Sequence, residues 1–249
     1  MHRIYKETVT VKAEMADALG RLRPSAALRL TQDAAAHHCD RLNLAEDFMA
    51  EKGYFWAIIR NQYTAERMPL VGQTITLETW PMPTTRTCFP RACVAYDEQG
   101  ELLFAVHSLW ILMDRQSRAM ILPGRSGIDV PGIDRENTPP APKSLSPLSM
   151  DADATRQVTA ADLDHNGHMN NARYLDWAEE ALGSGFRQDK LLRRATLCYL
   201  NEAKEGQMLA SCMGFDPKNA AIFDLRRGKE DGSFDRIFTA SLEYDAVVM

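Results

Sequence analysis

The residues best able to do chemistry cluster in Asp162-Leu-Asp-His-Asn-Gly-His-Met-Asn-Asn171. Asp164, Asn166 and His168 are spaced by two. In an extended backbone alternate side chains share a face, so a carboxylate, an amide and an imidazole would point the same way. In a helix the middle one would turn aside. The spacing therefore predicts an extended strip presenting a site. The competing reading is an ordinary turn, because Asp, Asn and Gly are also turn formers. Asn170 and Asn171 directly precede Ala172, where an amphipathic run begins, so one of them is expected as a helix N-cap.

The elements that must hold this strip repeat along the chain. The first half opens with an alternating run, Ile4 to Val11, read as a strand. A helix is expected from Ala26 to about Leu44, with Leu28, Ala35, Cys39 and Leu42 at helical spacing and Pro24 in its first turn. Strand-like runs follow at Phe55–Ala65, Gln73–Trp80, Thr87–Tyr96 and Leu102–Met113, punctuated by Gly72 and Asp97-Glu-Gln-Gly100. The stretch 136–155 contains Thr138-Pro-Pro-Ala-Pro-Lys-Ser-Leu-Ser-Pro147, which cannot sustain ladder bonds and reads as a linker. The order then recurs: a short strand Arg156–Ala160, a helix Asn171–Leu182, and strands Ala195–Asn201, Met208–Phe215, Ala220–Arg226 and Arg236–Val247. Tyr63-Thr-Ala-Glu66 before Gly72-Gln73 echoes Tyr199-Leu-Asn-Glu202 before Gly206-Gln207, which pairs Glu66 with Glu202. Two copies of one strand–helix–strands unit are expected, at 1–135 and 156–249. One helix wrapped by an antiparallel sheet satisfies each copy. The fold class is therefore α+β, a hot-dog arrangement doubled in tandem.

Composition narrows the function. A net charge of -5 argues against a generic nucleic-acid or anionic-membrane binder. The five cysteines (Cys39, Cys88, Cys93, Cys198, Cys212) are odd in number and contain no CxxC. They read as reduced thiols of a cytoplasmic protein, with no structural zinc site. The N-terminus has no apolar signal region, and no apolar run approaches the roughly 20 residues that span a bilayer.

The segment from Asp162 through Asn171, continued by Ala-Arg-Tyr-Leu-Asp-Trp-Ala-Glu-Glu180, resembles the signature of the acyl-acyl carrier protein thioesterases of plants and bacteria. Their pattern runs Asp-Leu-Asp-x-Asn-x-His-hydrophobic-Asn-Asn, then an aromatic, a Trp and a Glu. The end of a strand at Trp110-Ile-Leu-Met-Asp114 fits the same plan. The resemblance implies tandem hot-dog repeats and hydrolysis of fatty acyl thioesters on acyl carrier protein, with no cofactor and no metal. It implies catalytic roles for Asp164, Asn166 and His168. It adds Glu202 through a Tyr-x-x-Glu-Cys context that here reads Tyr199-Leu-Asn-Glu202-Ala203. Ala203 stands where the family has cysteine, and Cys198 has the wrong parity to replace it, so a thiol nucleophile is disfavoured. The resemblance also places the acyl-chain pocket in the first repeat. Met49, Trp56 and Met68 are candidate lining residues, although core packing explains them equally well.

Thioester hydrolysis needs a water nucleophile, a base and donors for the oxyanion. Glu202 or Asp164 could take the proton, Asn166 could orient water or the carbonyl, and His168 could move a proton. Backbone N–H groups near Gly167 and the helix start would serve the oxyanion, with Gly167 allowing close approach of substrate. The hypothesis retained is Glu202 as base and Asp164 as orienter. His165 should face away. His37 and His38 are expected at a surface or pocket edge, and His107 in the core. Since the first half lacks an Asp-x-Asn-x-His strip, one site per chain is expected. Segment Asp17–Arg23 and the pair Arg193-Arg194 are basic-leaning surfaces that could meet an acidic carrier. Acyl-CoA hydrolysis, enoyl-thioester hydration and a non-catalytic acyl-binding module are the rivals. The hydratase signature carries a Pro after the Asn, which Asn166-Gly-His168 lacks. Monomer and homodimer both stay open.

Overall fold

The structure is a computed structural model that describes residues 3–135, 138–147 and 151–246. It divides into two compact units, Met1–Pro142 and Lys143–Met249. The division falls within the stretch read as a linker, of which residues 136, 137 and 148–150 lie outside the described residues.

In the first unit β1 (Tyr5–Thr10) leads through a 3-10 turn at Ala13–Met15 to α1 (Pro24–Arg41) and α2 (Glu46–Glu51). Strands β2 (Tyr54–Ala65), β3 (Thr74–Pro81), β4 (Phe89–Tyr96) and β5 (Leu102–Asp114) follow, with a short β6 (Met120–Ile121) and α3 (Pro123–Ser126). The strands form an antiparallel sheet in the order β1-β3-β4-β5-β2, with β6 paired to β5. Pro24 occupies the first turn of α1, where its missing N–H costs nothing. Ala26, Ala27, Ala34 and Ala35 are buried, and their small side chains let the helix lie close to the sheet. Beyond the helix end, Leu42, Leu44, Met49, Phe89, Leu112 and Ile128 form one apolar cluster.

The second unit repeats this plan. β7 (Ala154–Gln157) leads through a 3-10 turn at Ala160–Asp162 to α4 (Asn171–Leu182) and α5 (Ser184–Arg187). Strands β8 (Lys190–Tyr199), β9 (Met208–Phe215), β10 (Ala221–Gly228) and β11 (Phe234–Ala246) complete it. Their order is β7-β9-β10-β11-β8, the topology of the first unit strand for strand. Each unit is a helix packed on an antiparallel sheet with the same order of five main strands, the hot-dog arrangement expected.

Most expected elements occur within a few residues of their reading. The main departure is β8, which starts at Lys190 rather than Ala195 and stops at Tyr199, leaving Glu202 beyond the strand. The last strand was read to Val247, a residue outside the described ones.

Candidate active site

The site is built outward from Asp162, whose side chain is 1% exposed. Its Oδ2 accepts from the Thr159 amide at 3.0 Å and the Thr159 hydroxyl at 2.8 Å. Its Oδ1 accepts from Arg173 Nη2 at 2.8 Å, Arg173 Nε at 3.1 Å and Trp177 Nε1 at 3.2 Å. Burial alone would push this carboxyl up. The donors from Thr159, Arg173 and Trp177 together outweigh it and hold the group below the ordinary carboxylate range. Arg173 and Trp177 lie on one face of α4, so Asp162 ties the start of the motif to the helix that follows. Asn170 caps that helix, its Oδ1 accepting from the Ala172 amide at 2.9 Å.

Between these anchors the chain turns sharply. The Asp164 N–H donates to the His168 carbonyl at 2.8 Å, and the Gly167 N–H donates to the Asp164 carbonyl at 3.1 Å. Gly167 has φ of 74°, a left-handed conformation that glycine adopts without strain. Asp164 Oδ1 accepts from the Asn166 amide at 2.9 Å and the His168 amide at 3.4 Å. The expected extended strip is therefore corrected: Asp164, Asn166 and His168 sit on a closed turn, and the Asp164 carboxylate braces it. Polar residues at spacing two imitate strand alternation, but Gly167 makes the reversal cheap and the Asp164 side chain satisfies the amides the turn exposes.

The first unit contains the same turn. Asp17 N–H donates to the Arg21 carbonyl at 2.8 Å, Gly20 N–H to the Asp17 carbonyl at 3.0 Å, and Gly20 has φ of 74°. Asp17 Oδ1 accepts from the Leu19 and Arg21 amides, each at 2.9 Å. Asp17 and Gly20 match Asp164 and Gly167, while Leu19 and Arg21 stand where Asn166 and His168 do. The Leu22 N–H donates to Pro69 as the Met169 N–H donates to Ala203, both at 2.8 Å. Arg21 bridges to Leu70 as His168 does to Lys204. These equivalences set Met68, not Glu66, opposite Glu202, which corrects the expected repeat register by two residues. The "strip" is thus absent from the first unit only in its reactive groups. Arg21 is no open basic surface either, since its guanidinium pairs with Asp17 at 2.9 Å. Arg193 and Arg194 pair likewise with Asp245 and Glu243.

The bridge to Lys204 brings His168 to Glu202, with Nε2 3.3 Å from Oε2. Their side chains are 22% and 40% exposed, so water reaches both. Asn166 is exposed, and its side-chain amide makes no hydrogen bond among the described residues. A carboxylate, an imidazole and an uncommitted amide can together take a proton from water, pass one on and donate to a carbonyl oxygen. The backbone donors expected for the oxyanion are largely spent. The amides of Asn166, Gly167, His168, Met169, Asn170 and Ala172 all have acceptors within the motif or at Ala203.

His165 is exposed on the turn. Cys198 is buried, its thiol directed to the Lys143 carbonyl at 3.6 Å, and Ala203 is fully buried. Among the candidate lining residues, Met49 lies in the apolar cluster of the first unit and Trp56 packs against it, edge-on to Phe89. Met68 lies apart on the segment after β2, where its sulfur accepts from the Tyr63 hydroxyl at 3.0 Å. His38 is buried and accepts at Nδ1 from Arg91 at 3.0 Å, while exposed His37 meets Glu7. His107 is buried, as expected, with Nδ1 on the Pro139 carbonyl. Among the described residues no three His, Cys, Asp or Glu side chains are placed to hold a metal ion. No helix among them is long and apolar enough to cross a membrane. The role of Asp162 was missed in the sequence; its signal was the i, i+4 pair Arg173 and Trp177 following an acidic residue.

The chain resembles known proteins along nearly all its length. The sequence model of the acyl-ACP thioesterase N-terminal domain matches residues 2–122, and that of the C-terminal domain matches 146–234. The chain is 25% identical over 195 residues to a chloroplastic palmitoyl-acyl carrier protein thioesterase of Gossypium hirsutum, covering 72% of this chain and 47% of that one. It is 23% identical to a chloroplastic dodecanoyl-[acyl-carrier-protein] hydrolase of Umbellularia californica, covering 72% and 51%. The chain thus spans about half the length of the curated relatives it matches. In fold it is similar to an acyl-ACP thioesterase from Bacteroides thetaiotaomicron, with TM-score 0.84, 20% identity and 98% of each chain covered. It is also similar to the 12:0-ACP thioesterase from Umbellularia californica, with TM-score 0.80, 22% identity, and 99% and 98% covered. By its two matched domains, this chain belongs to the acyl-ACP thioesterase family.

Proposed function

We propose that this protein hydrolyses fatty acyl thioesters carried on acyl carrier protein, releasing free fatty acid. The observation that carries the reading is the His168–Glu202 pair at 3.3 Å, made by a turn and a segment facing it whose counterparts in the first unit hold Arg21 and Met68 instead. Glu202 takes a proton from water as the water oxygen attacks the thioester carbon. The Asn166 amide donates to the carbonyl oxygen as it becomes an oxyanion. Glu202 hands that proton to His168 across their 3.3 Å contact, and His168 gives it to the departing thiolate as the tetrahedral adduct collapses to the carboxylic acid and the free thiol. Asp164 holds the turn that sets these groups. Gly167 lets substrate approach the turn, since a Cβ-free residue there leaves its face open. No covalent acyl-enzyme is required, and Cys198 is too enclosed to form one.

The C-terminal unit is assigned the chemistry and the N-terminal unit the acyl chain, with Met49, Trp56 and Met68 as its candidate contacts. The reaction uses no cofactor or metal, and the protein acts in the cytoplasm. The test is thiol release from acyl carrier protein thioesters of increasing chain length, beside the matching CoA thioesters, for wild type and His168→Ala. Chain-length-dependent release from the carrier thioesters, lost in His168→Ala, is expected. Equal or faster release from CoA thioesters would remove the carrier assignment. No release from any thioester would remove the hydrolase reading.

A further inference from the structure

Because the two units share a scaffold, their differences isolate what the second adds. Both close the segment that faces the turn in the same way. Gln207 Oε1 accepts from the Lys204 amide at 3.0 Å, and Gln73 Oε1 from the Leu70 amide at 2.8 Å. The strands that follow pair alike, Ala210 with Arg226 and Thr76 with Tyr96. Arg227, the next residue of β10, therefore stands where Asp97 follows β4. In the first unit Asp97 accepts from Arg67 on the facing segment. In the second unit the polarity is reversed. Arg227 Nη1 donates to the Glu202 carbonyl at 3.4 Å and to Gln207 Oε1 at 3.3 Å, while Nη2 donates to Asp235 Oδ2 at 3.1 Å. An ionised carboxylate at that place only accepts, and could not hold the carbonyl.

Glu202 needs such a hold because it lies beyond the end of β8 at Tyr199. Before it, the Leu200 and Asn201 amides donate to the Ile237 carbonyl at 2.9 and 3.2 Å. After it, the Ala203 carbonyl accepts from Met169 at 2.8 Å. Between these ties lies the peptide joining Glu202 to Ala203, and its carbonyl is the one that Arg227 holds. Rotation of that peptide would swing the Glu202 side chain away from His168 Nε2, which it meets at 3.3 Å. We infer that Arg227 is a positioning residue for thioester hydrolysis: its guanidinium, braced by Asp235 and Gln207, fixes the backbone of Glu202 and so the direction in which that carboxylate meets His168. Lys229 braces Asp235 from its other oxygen at 2.7 Å. The Arg227 and Asp235 side chains are about one-third exposed, so their pairing adds little to stability and its loss is read in kinetics rather than unfolding. The inference rests on the hydrolase reading above.

Arg227→Met keeps the aliphatic stem and removes the guanidinium. Lys229→Met is the control: it takes an equal charge from the same carboxylate and leaves the bond to the Glu202 carbonyl in place. The readouts are kcat against KM on the best carrier thioester and a crystal structure of each variant. In Arg227→Met the His168–Glu202 contact should open beyond hydrogen-bond reach, with kcat lower by about 10- to 100-fold and KM nearly unchanged. Guanidinium ion, added far below denaturing concentration, should restore part of that kcat. Lys229→Met should show none of these effects. In a Glu202→Gln background Arg227→Met should cost little more, because it acts through that carboxylate. A contact kept at 3.3 Å in Arg227→Met, an unchanged kcat, or fully additive losses would overturn the positioning role. A rise in KM shared by both variants, with kcat intact, would overturn it too and give the arginine to carrier docking. A wild type inactive on every thioester would instead sink the hydrolase reading and the inference with it; only in the active enzyme does the variant speak against Arg227 alone.

Discussion

Replacing Asp162 with asparagine should unfold the second unit more readily than any change on the exposed turn. The carboxylate is 1% exposed and accepts five hydrogen bonds, three of them from Arg173 and Trp177. Asparagine keeps one oxygen for Arg173 and Trp177. It points an amide NH2 at the Thr159 N–H, placing donor against donor, and leaves the Arg173 cation without this counter-charge. Breaking one side of a buried ion pair costs about 3–5 kcal/mol. Arg173 retains Asp176 at 2.6 Å, which sets the expectation at the lower end, about 3 kcal/mol. Urea unfolding of both proteins at pH 7 reads this difference from the shift in midpoint. The pH dependence supplies a second check. The folded carboxyl lies below its ordinary value of 3.8, so its stabilisation is present above about pH 4 and is lost as pH falls through the folded value. The gap between wild type and variant should therefore narrow in acid. A loss under about 1 kcal/mol at pH 7, or a gap that does not narrow, would refute the anchoring role.

Gly20→Ala and Gly167→Ala make a matched pair, because both glycines have φ of 74° and neither added Cβ would meet a neighbour within 4 Å. Each should lose about 1–2 kcal/mol of stability from the left-handed backbone alone, but only Gly167→Ala should slow hydrolysis. Equal kinetic loss in both would argue that the turns act alike. His107 is buried, its Nε2 has no partner among the described residues, and burial lowers its pKa despite the Pro139 carbonyl, which favours the proton. Its contribution is fully present above the ordinary 6.5 and is lost as pH falls toward the folded value, because the unfolded chain then takes up a proton that the folded one refuses. Urea midpoints should fall between pH 6.5 and 5 in wild type and fall less in His107→Gln; parallel slopes would contradict this assignment.

Much of the architecture was legible because periodicity reports burial directly. Helix α4 and strand β9 occur with the bounds read from the chain, and Pro24 and Asn170 mark helix starts by mechanisms local to those residues. Strand β8 was harder, because Lys190-Leu-Leu-Arg-Arg194 alternates poorly and conceals its first turn of ladder bonds. The chemistry-bearing residues were visible by type, but their geometry was not. Residues two apart suggest a strand until the Asp side chain is allowed to satisfy the amides of a turn, a bond that no spacing rule encodes. The repeat register failed for a related reason. Tyr63 and Glu66 match Tyr199 and Glu202 by identity, whereas the paired backbone bonds Glu66 and Arg67 to Leu103, and Leu200 and Asn201 to Ile237, shift the match to Met68. Asp17-Ala-Leu-Gly20 carried the clue to the twin turn, and its role became plain only once the same bonds were seen around Asp164.

The central claim is that Glu202, held against His168, is the base that activates water. Single-turnover release of thiol from the best acyl carrier protein substrate, compared between wild type and Glu202→Gln, tests it most directly. Glutamine preserves size and hydrogen bonding while removing the proton acceptor. The account predicts a fall of about 10²- to 10⁴-fold in the chemical step, with substrate binding and unfolding midpoint nearly unchanged. A chemical step within a few-fold of wild type would contradict it and move the proton to another group.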